Sequence, residues 1–98
     1  MIIVTGSVRA RPEALQEVLH LSLEHVHRSR LEAGCLLHSV HQDVEDANRV
    51  VFLEHWLDRD ALAAHFRLAA SVAFAKSVRD LATEPPALDI YDATRTEL

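Results

Sequence analysis

Cysteine occurs once in the chain, at Cys35, so neither an intrachain disulfide nor a cysteine-based zinc site can be built. Glycine occurs twice, at Gly6 and Gly34. Two distant glycines exclude a glycine-rich phosphate loop and a dinucleotide fingerprint, both of which need several close backbone approaches. Positive charge is scarce: ten basic residues, nine of them Arg, stand singly against fifteen acidic ones, for a net charge of −5. Nucleic acid and anionic membrane surfaces are therefore poor partners. No run approaches the roughly 20 apolar residues of a membrane span. Met1–Gly6 has neither the basic lead nor the apolar stretch of a secretory signal, which makes the cytoplasm the expected compartment. With 98 residues there is too little chain for two ordinary cores, and a single domain is expected over 1–98, its core spanning about 2–92. What the chain does have is a globular balance, 49% hydrophobic and 26% charged, and seven histidines, which are its chemical oddity.

Residues 2–9 are rich in β-branched types and read as a strand. Pro12 suits the first turn of a helix, where a missing N–H costs nothing. In that helix Leu15, Val18, Leu19, Ser22, Val26 and Ser29 share one face, and Glu13, Glu17, His20, Glu24 and His27 the opposite one. Gly34 is the expected αL residue beyond its end. Cys35–Val44 and Arg49–Leu57 read as two strands joined by the polar turn Glu45–Asn48, hence a hairpin. Asp58 is a good N-cap for a second helix running to about Leu81, and a phase change in its apolar face predicts a kink or break near Ala69–Ser71. Ala87–Ala93 is a last strand. The order β-α-β-β-α-β is an α+β, ferredoxin-like split: a four-stranded antiparallel sheet with helices on one face. Strand three is apolar in both parities, with Val50, Phe52 and Trp56 on one side and Val51, Leu53 and Leu57 on the other. Both sheet faces should then be buried, and the simplest cover for the helix-free face is a second copy of the chain in a symmetric homodimer.

Four segments carry a resemblance: Glu32-Ala33-Gly34-Cys35, Asp46-Ala47-Asn48-Arg49, Phe52-Leu53-Glu54-His55-Trp56 and Ala61-Leu62-Ala63-Ala64-His65-Phe66. Together, over residues 2 to about 92, the chain resembles the antibiotic biosynthesis monooxygenase domain family. The resemblance implies a dimeric α/β barrel. It also implies a cofactor-independent monooxygenase acting on a small aromatic, phenolic or quinol-type compound. Other members of this family degrade haem or signal molecules, so a non-oxidative isomerase or degradative enzyme, or a non-catalytic small-molecule-binding domain, are the alternatives. Two departures stand out. Many members carry a second His shortly after the one matching His65, where this chain has Ser71. The haem-degrading branch uses an Asn on the first strand, where Gly6 and Ser7 are found here.

Among single residues, His65 is the candidate catalytic base: it shares the helix face of Leu62 and Phe66, is expected in apolar surroundings within reach of Trp56 or Phe52, and can exchange protons near neutral pH. The plainer alternative is a buried histidine bonded to backbone. Trp56, Glu54, Phe52, Phe66, Phe74 and His38 are the candidate substrate-binding residues, the rings stacking on a flat ligand and the carboxylate orienting it. In one hairpin register His38 lies across from His55. Lys76 and Arg79 offer positive charge at the pocket mouth. No metal site and no cofactor are expected. The best local ligand set, His20, Glu24 and His27, lies on a solvated helix face, and His25 and His27 point too far apart to chelate.

Overall fold

A computed structural model describes residues 1–98. Strand β1 (Ile2–Arg9) is followed by a 3-10 turn (Pro12–Ala14) and helix α1 (Leu15–Ser29). Strands β2 (Cys35–Gln42) and β3 (Arg49–Trp56) form the expected hairpin. Helices α2 (Arg59–Arg67) and α3 (Ala69–Asp80) precede strand β4 (Ala87–Asp92). The sheet is antiparallel, ordered β2-β3-β1-β4, with the helices on one face. No helix is long and apolar enough to cross a membrane.

Three expectations are adjusted. The strands stop short of Val44, Leu57 and Ala93. The kink or break expected near Ala69–Ser71 is a break one residue earlier: Leu68 takes extended backbone (φ −62°, ψ 134°) and ends α2 before α3 begins. The register that runs from the turn, with Gln42 opposite Val50, puts Leu37, not His38, across from His55 and His38 across from Glu54; a bulge between Cys35 and Leu37 shifts only the far end of the hairpin. That one-residue difference sends His38 under the helices, because side chains alternate faces along a strand.

β3 alternates as the pleat requires: Val50, Phe52, Glu54 and Trp56 are buried under the helices, while Val51, Leu53 and His55 are half-buried on the open face. Two apolar clusters anchor the layers. Val8, Val18, Val26, Val50 and Phe52 hold α1 to the sheet, and Ile2, Val4, Trp56 and Leu62 hold α2. All six residues of β4 are exposed, though Arg59 of α2 reaches its Asp92 at 3.0 Å.

Candidate active site

The site lies between helices and sheet, where three elements each deliver one buried imidazole. His65 comes from the last turn of α2, His38 from β2 and His25 from α1, all at most 4% exposed. Their ring centroids are 5.2–5.6 Å apart.

His65 is oriented by Glu32, from the turn after α1. Its Nδ1 is 2.9 Å and 3.0 Å from the two carboxylate oxygens. A carboxylate can only accept, so Nδ1 carries a proton, and in the neutral ring Nε2 is the nitrogen with the lone pair. That Nε2 is 4.0 Å from Glu54 Oε1, and the ring lies 4.6 Å from the Trp56 ring. The surroundings of His65 are thus not apolar, as the helix face alone suggested. Two carboxylates from distant parts of the chain reach it.

Glu54 and Trp56 are two apart on β3 and share a face, so the Trp56 Nε1–H donates to Glu54 Oε1 at 2.9 Å. His38 Nε2 approaches the same oxygen at 3.3 Å, off the line of a hydrogen bond, and both His38 ring nitrogens are buried without a hydrogen-bond partner. Burial pushes the Glu54 carboxyl up. The neighbouring His38, the Trp56 N–H and His65 together outweigh that and hold it below the ordinary value. His25 stacks on Phe74 with centroids 4.0 Å apart and rings nearly parallel, and Arg28 Nη2 donates to its Nδ1 at 3.2 Å. Burial, then the neighbouring His38, His65 and Arg28, lower the His25 pKa to about 3.

A cavity of about 340 Å³ opens beside this cluster. His25, His65 and Glu54 give it a polar wall, and Phe52, Phe66, Phe74 and Val78 an apolar one, with Arg79 and Pro85 among its remaining lining. Of the residues singled out from sequence, His65, Glu54, Phe52, Phe66 and Phe74 line it. Trp56 and His38 do not: their register places them behind Glu54, fully enclosed, where they support the wall rather than meet a ligand. Phe66 is 41% exposed, because it faces the bare β4 side. Arg79 is exposed at the cavity; Lys76 is exposed and outside it. His20 and Glu24 pair at 3.1 Å in solvent, and His27 is exposed too.

Two site residues were missed. His25 carried a legible signal: it follows Val18 by seven residues and Ser22 by three, the spacing of the buried stripe. Glu32 carried none, standing 33 residues from the histidine it binds. Ser71, where the resemblance leads one to expect a second His, is buried in the cavity wall, and the second imidazole at the cavity is His25, supplied by a different helix.

A family model described as antibiotic biosynthesis monooxygenase matches residues 1–77. An uncharacterized protein of Synechocystis, sll1783, is 31% identical over 96 residues, covering 98% of this chain and 65% of that protein, so the chain spans less than two thirds of its length. YcnE of Bacillus subtilis, which carries a provisional monooxygenase name, is 30% identical over 98 residues, covering 100% of this chain and 98% of that one. A crystal structure of an antibiotic biosynthesis monooxygenase superimposes with a TM-score of 0.89 at 28% identity, covering 97% of this chain and 100% of the other.

Proposed function

The chain belongs to the antibiotic biosynthesis monooxygenase family, and from that premise we propose that it is a cofactor-independent monooxygenase for a small aromatic, phenolic or quinol-type compound bound in the cavity beside His65. One observation carries this reading: His65 is fixed through Nδ1 by Glu32, in a buried place, on the wall of a cavity whose other sides are largely aromatic and aliphatic. A fixed tautomer with a free Nε2 is the arrangement of a general base, and the Glu32 carboxylate stabilises the imidazolium that forms when the base takes a proton.

In the proposed reaction a flat, electron-rich substrate lies against Phe52 and Phe74. His65 Nε2 removes an acidic proton, and the resulting anion reduces O₂ by forming a carbon–oxygen bond. The hydroperoxide collapses to a carbonyl, and the second oxygen leaves as water. The substrate supplies the electrons, so the chain has to supply only proton removal and a dry place for the intermediate. The proposed working unit is a homodimer joined through the helix-free sheet face, with Val51 and Leu53 at its centre.

Oxygen uptake and product mass on a panel of anthrones, naphthols and hydroquinones test this. Uptake of one O₂ per product, lost by at least about 100-fold in His65→Ala and in part in Glu32→Gln, is expected for a base and its orienting partner. Turnover without oxygen uptake would mean a non-oxidative enzyme. Binding without turnover would mean a ligand-binding domain.

A further inference from the structure

His25, His38 and His65 stand 13 and 27 residues apart in sequence, on three different elements, yet one ligand-capable nitrogen of each lies within 4.8 Å of the others. We propose that these three imidazoles, with the Glu54 carboxylate, form a binding site for one divalent transition-metal ion of the zinc and cobalt class. The site goes beyond the reaction proposed above and does not depend on it.

Four observations carry the assignment. The first is the orphaned state of His38: it is fully buried and neither ring nitrogen has a hydrogen-bond partner, a costly arrangement that a bound cation at one nitrogen relieves. The second is charge. Glu54 Oε1 lies 3.3 Å from His38 Nε2 and 4.0 Å from His65 Nε2, so a carboxylate oxygen faces two of the ring nitrogens at distances a cation can bridge. The third is the contact of His65 Nδ1 with Glu32, which leaves Nε2 as the ligating atom. A carboxylate behind a metal-bound histidine is the usual way of fixing its tautomer and raising its basicity. The fourth is access. His25, His65 and Glu54 face the cavity and His38 closes the site from behind, so an ion can come in from one side only.

Zn–N bonds of about 2.0–2.1 Å require the ligand atoms to close by roughly 1 Å. Each ring sits on its own element, and rotation of side chains supplies that. His25 must also exchange its Arg28 contact, since ligation through Nε2 puts the proton on Nδ1; Arg28 then keeps the Ala70 carbonyl at 3.4 Å. Imidazole ligands select zinc, cobalt, nickel or copper over magnesium and calcium. Because the metal would take the Nε2 that a base needs, its occupation and metal-free catalysis by His65 exclude each other.

The test uses full-length, untagged, chelator-stripped protein titrated with Zn²⁺ by calorimetry and with Co²⁺ by visible absorption. One ion per chain is expected, with the intense ligand-field bands of a low-coordinate Co²⁺ site, and excess Mg²⁺ should not displace it. His38→Ala should abolish stoichiometric binding. Glu32→Gln, which retains every ligand and serves if His38→Ala does not fold, should weaken binding by about 10–100-fold. His20→Ala should leave it unchanged. No stoichiometric binding by the folded wild-type chain would overturn the proposal. So would binding that survives His38→Ala but is lost in His20→Ala. These readouts need no turnover, so their failure is distinguishable from failure of the oxygenase reading.

Discussion

His25 shows how a single side chain couples the site to the stability of the whole chain. It is buried against Phe74 and faces His38, His65 and Arg28, with Glu54 the only neighbour favouring its charged form. Its folded pKa of about 3 lies below the ordinary 6.5. Between those values the unfolded chain binds a proton that the native chain does not, so stability is full above pH 6.5 and falls as the pH drops toward 3. The Glu54 carboxyl, also held below its ordinary value, acts in the same direction at the acid end, as pH falls below 4.5. Urea midpoints measured from pH 7 to pH 4 should show this loss, with His25 contributing a slope approaching about 1.4 kcal/mol per pH unit. His25→Phe keeps the stack on Phe74 and should remove that contribution; a variant with the wild-type slope would show that another group titrates. His25 was legible from its spacing, yet sequence reasoning weighed it only as a chelating partner for His27, which points to solvent. The Glu32–His65 contact was not legible at all, because no local pattern joins residues 33 apart.

At the scale of elements, the connection from α1 to β2 is closely packed against the start of α2. Gly34 has φ +82°, and a Cβ there would stand 2.5 Å from the Ala61 Cβ at the start of α2. The Gly34 carbonyl accepts from the Leu57 N–H at 2.8 Å, tying this turn to the end of β3. Gly34→Ala combines a left-handed backbone with a steric overlap and should destabilise the chain by about 2–4 kcal/mol in denaturant unfolding. It should also move α2 away from the turn that carries Glu32, so NMR of the His65 ring should report a changed Nδ1–H environment. Wild-type stability in the Gly34→Ala variant would mean that the turn can relax freely. On the other side of α2, Asp58 caps the helix by accepting from the Ala61 N–H at 2.9 Å, which sets the phase that turns His65 inward. The N-cap and the αL glycine were both readable in sequence because each is a local backbone requirement. The break at Leu68 was readable only as a change of phase, which a kink and a break produce alike.

For the molecule as a whole, the uncovered surfaces matter most. On the open face Val51 and Leu53 sit half-buried beside Ile3, Thr5, Ser7, Leu37, Ser39 and His55, an apolar centre with polar surroundings. β4 adds exposed Leu88, Ile90 and Tyr91 at the sheet edge. The proposed homodimer covers the open face. Sedimentation should give twice the 11.0 kDa chain mass at micromolar concentration, and Leu53→Glu should shift it to the monomer by burying unpaired charge at the interface. A folded wild-type monomer at that concentration would remove the dimer and the two-sheet barrel with it.

The sequence alone determined the order of strands and helices, the hairpin, the face of each helix that meets the sheet, and the inward orientation of His65 on α2. These rest on periods of 2 and 3.6 residues and on caps and turns, which act over a few positions. Tertiary structure decided the site. The register set at the turn between β2 and β3 put His38 opposite Glu54, and packing of α1 over β2 brought His25 to both. Residues so far apart in sequence meet only through the closure of the core, whose energetics follow buried volume and shape rather than any spacing along the chain.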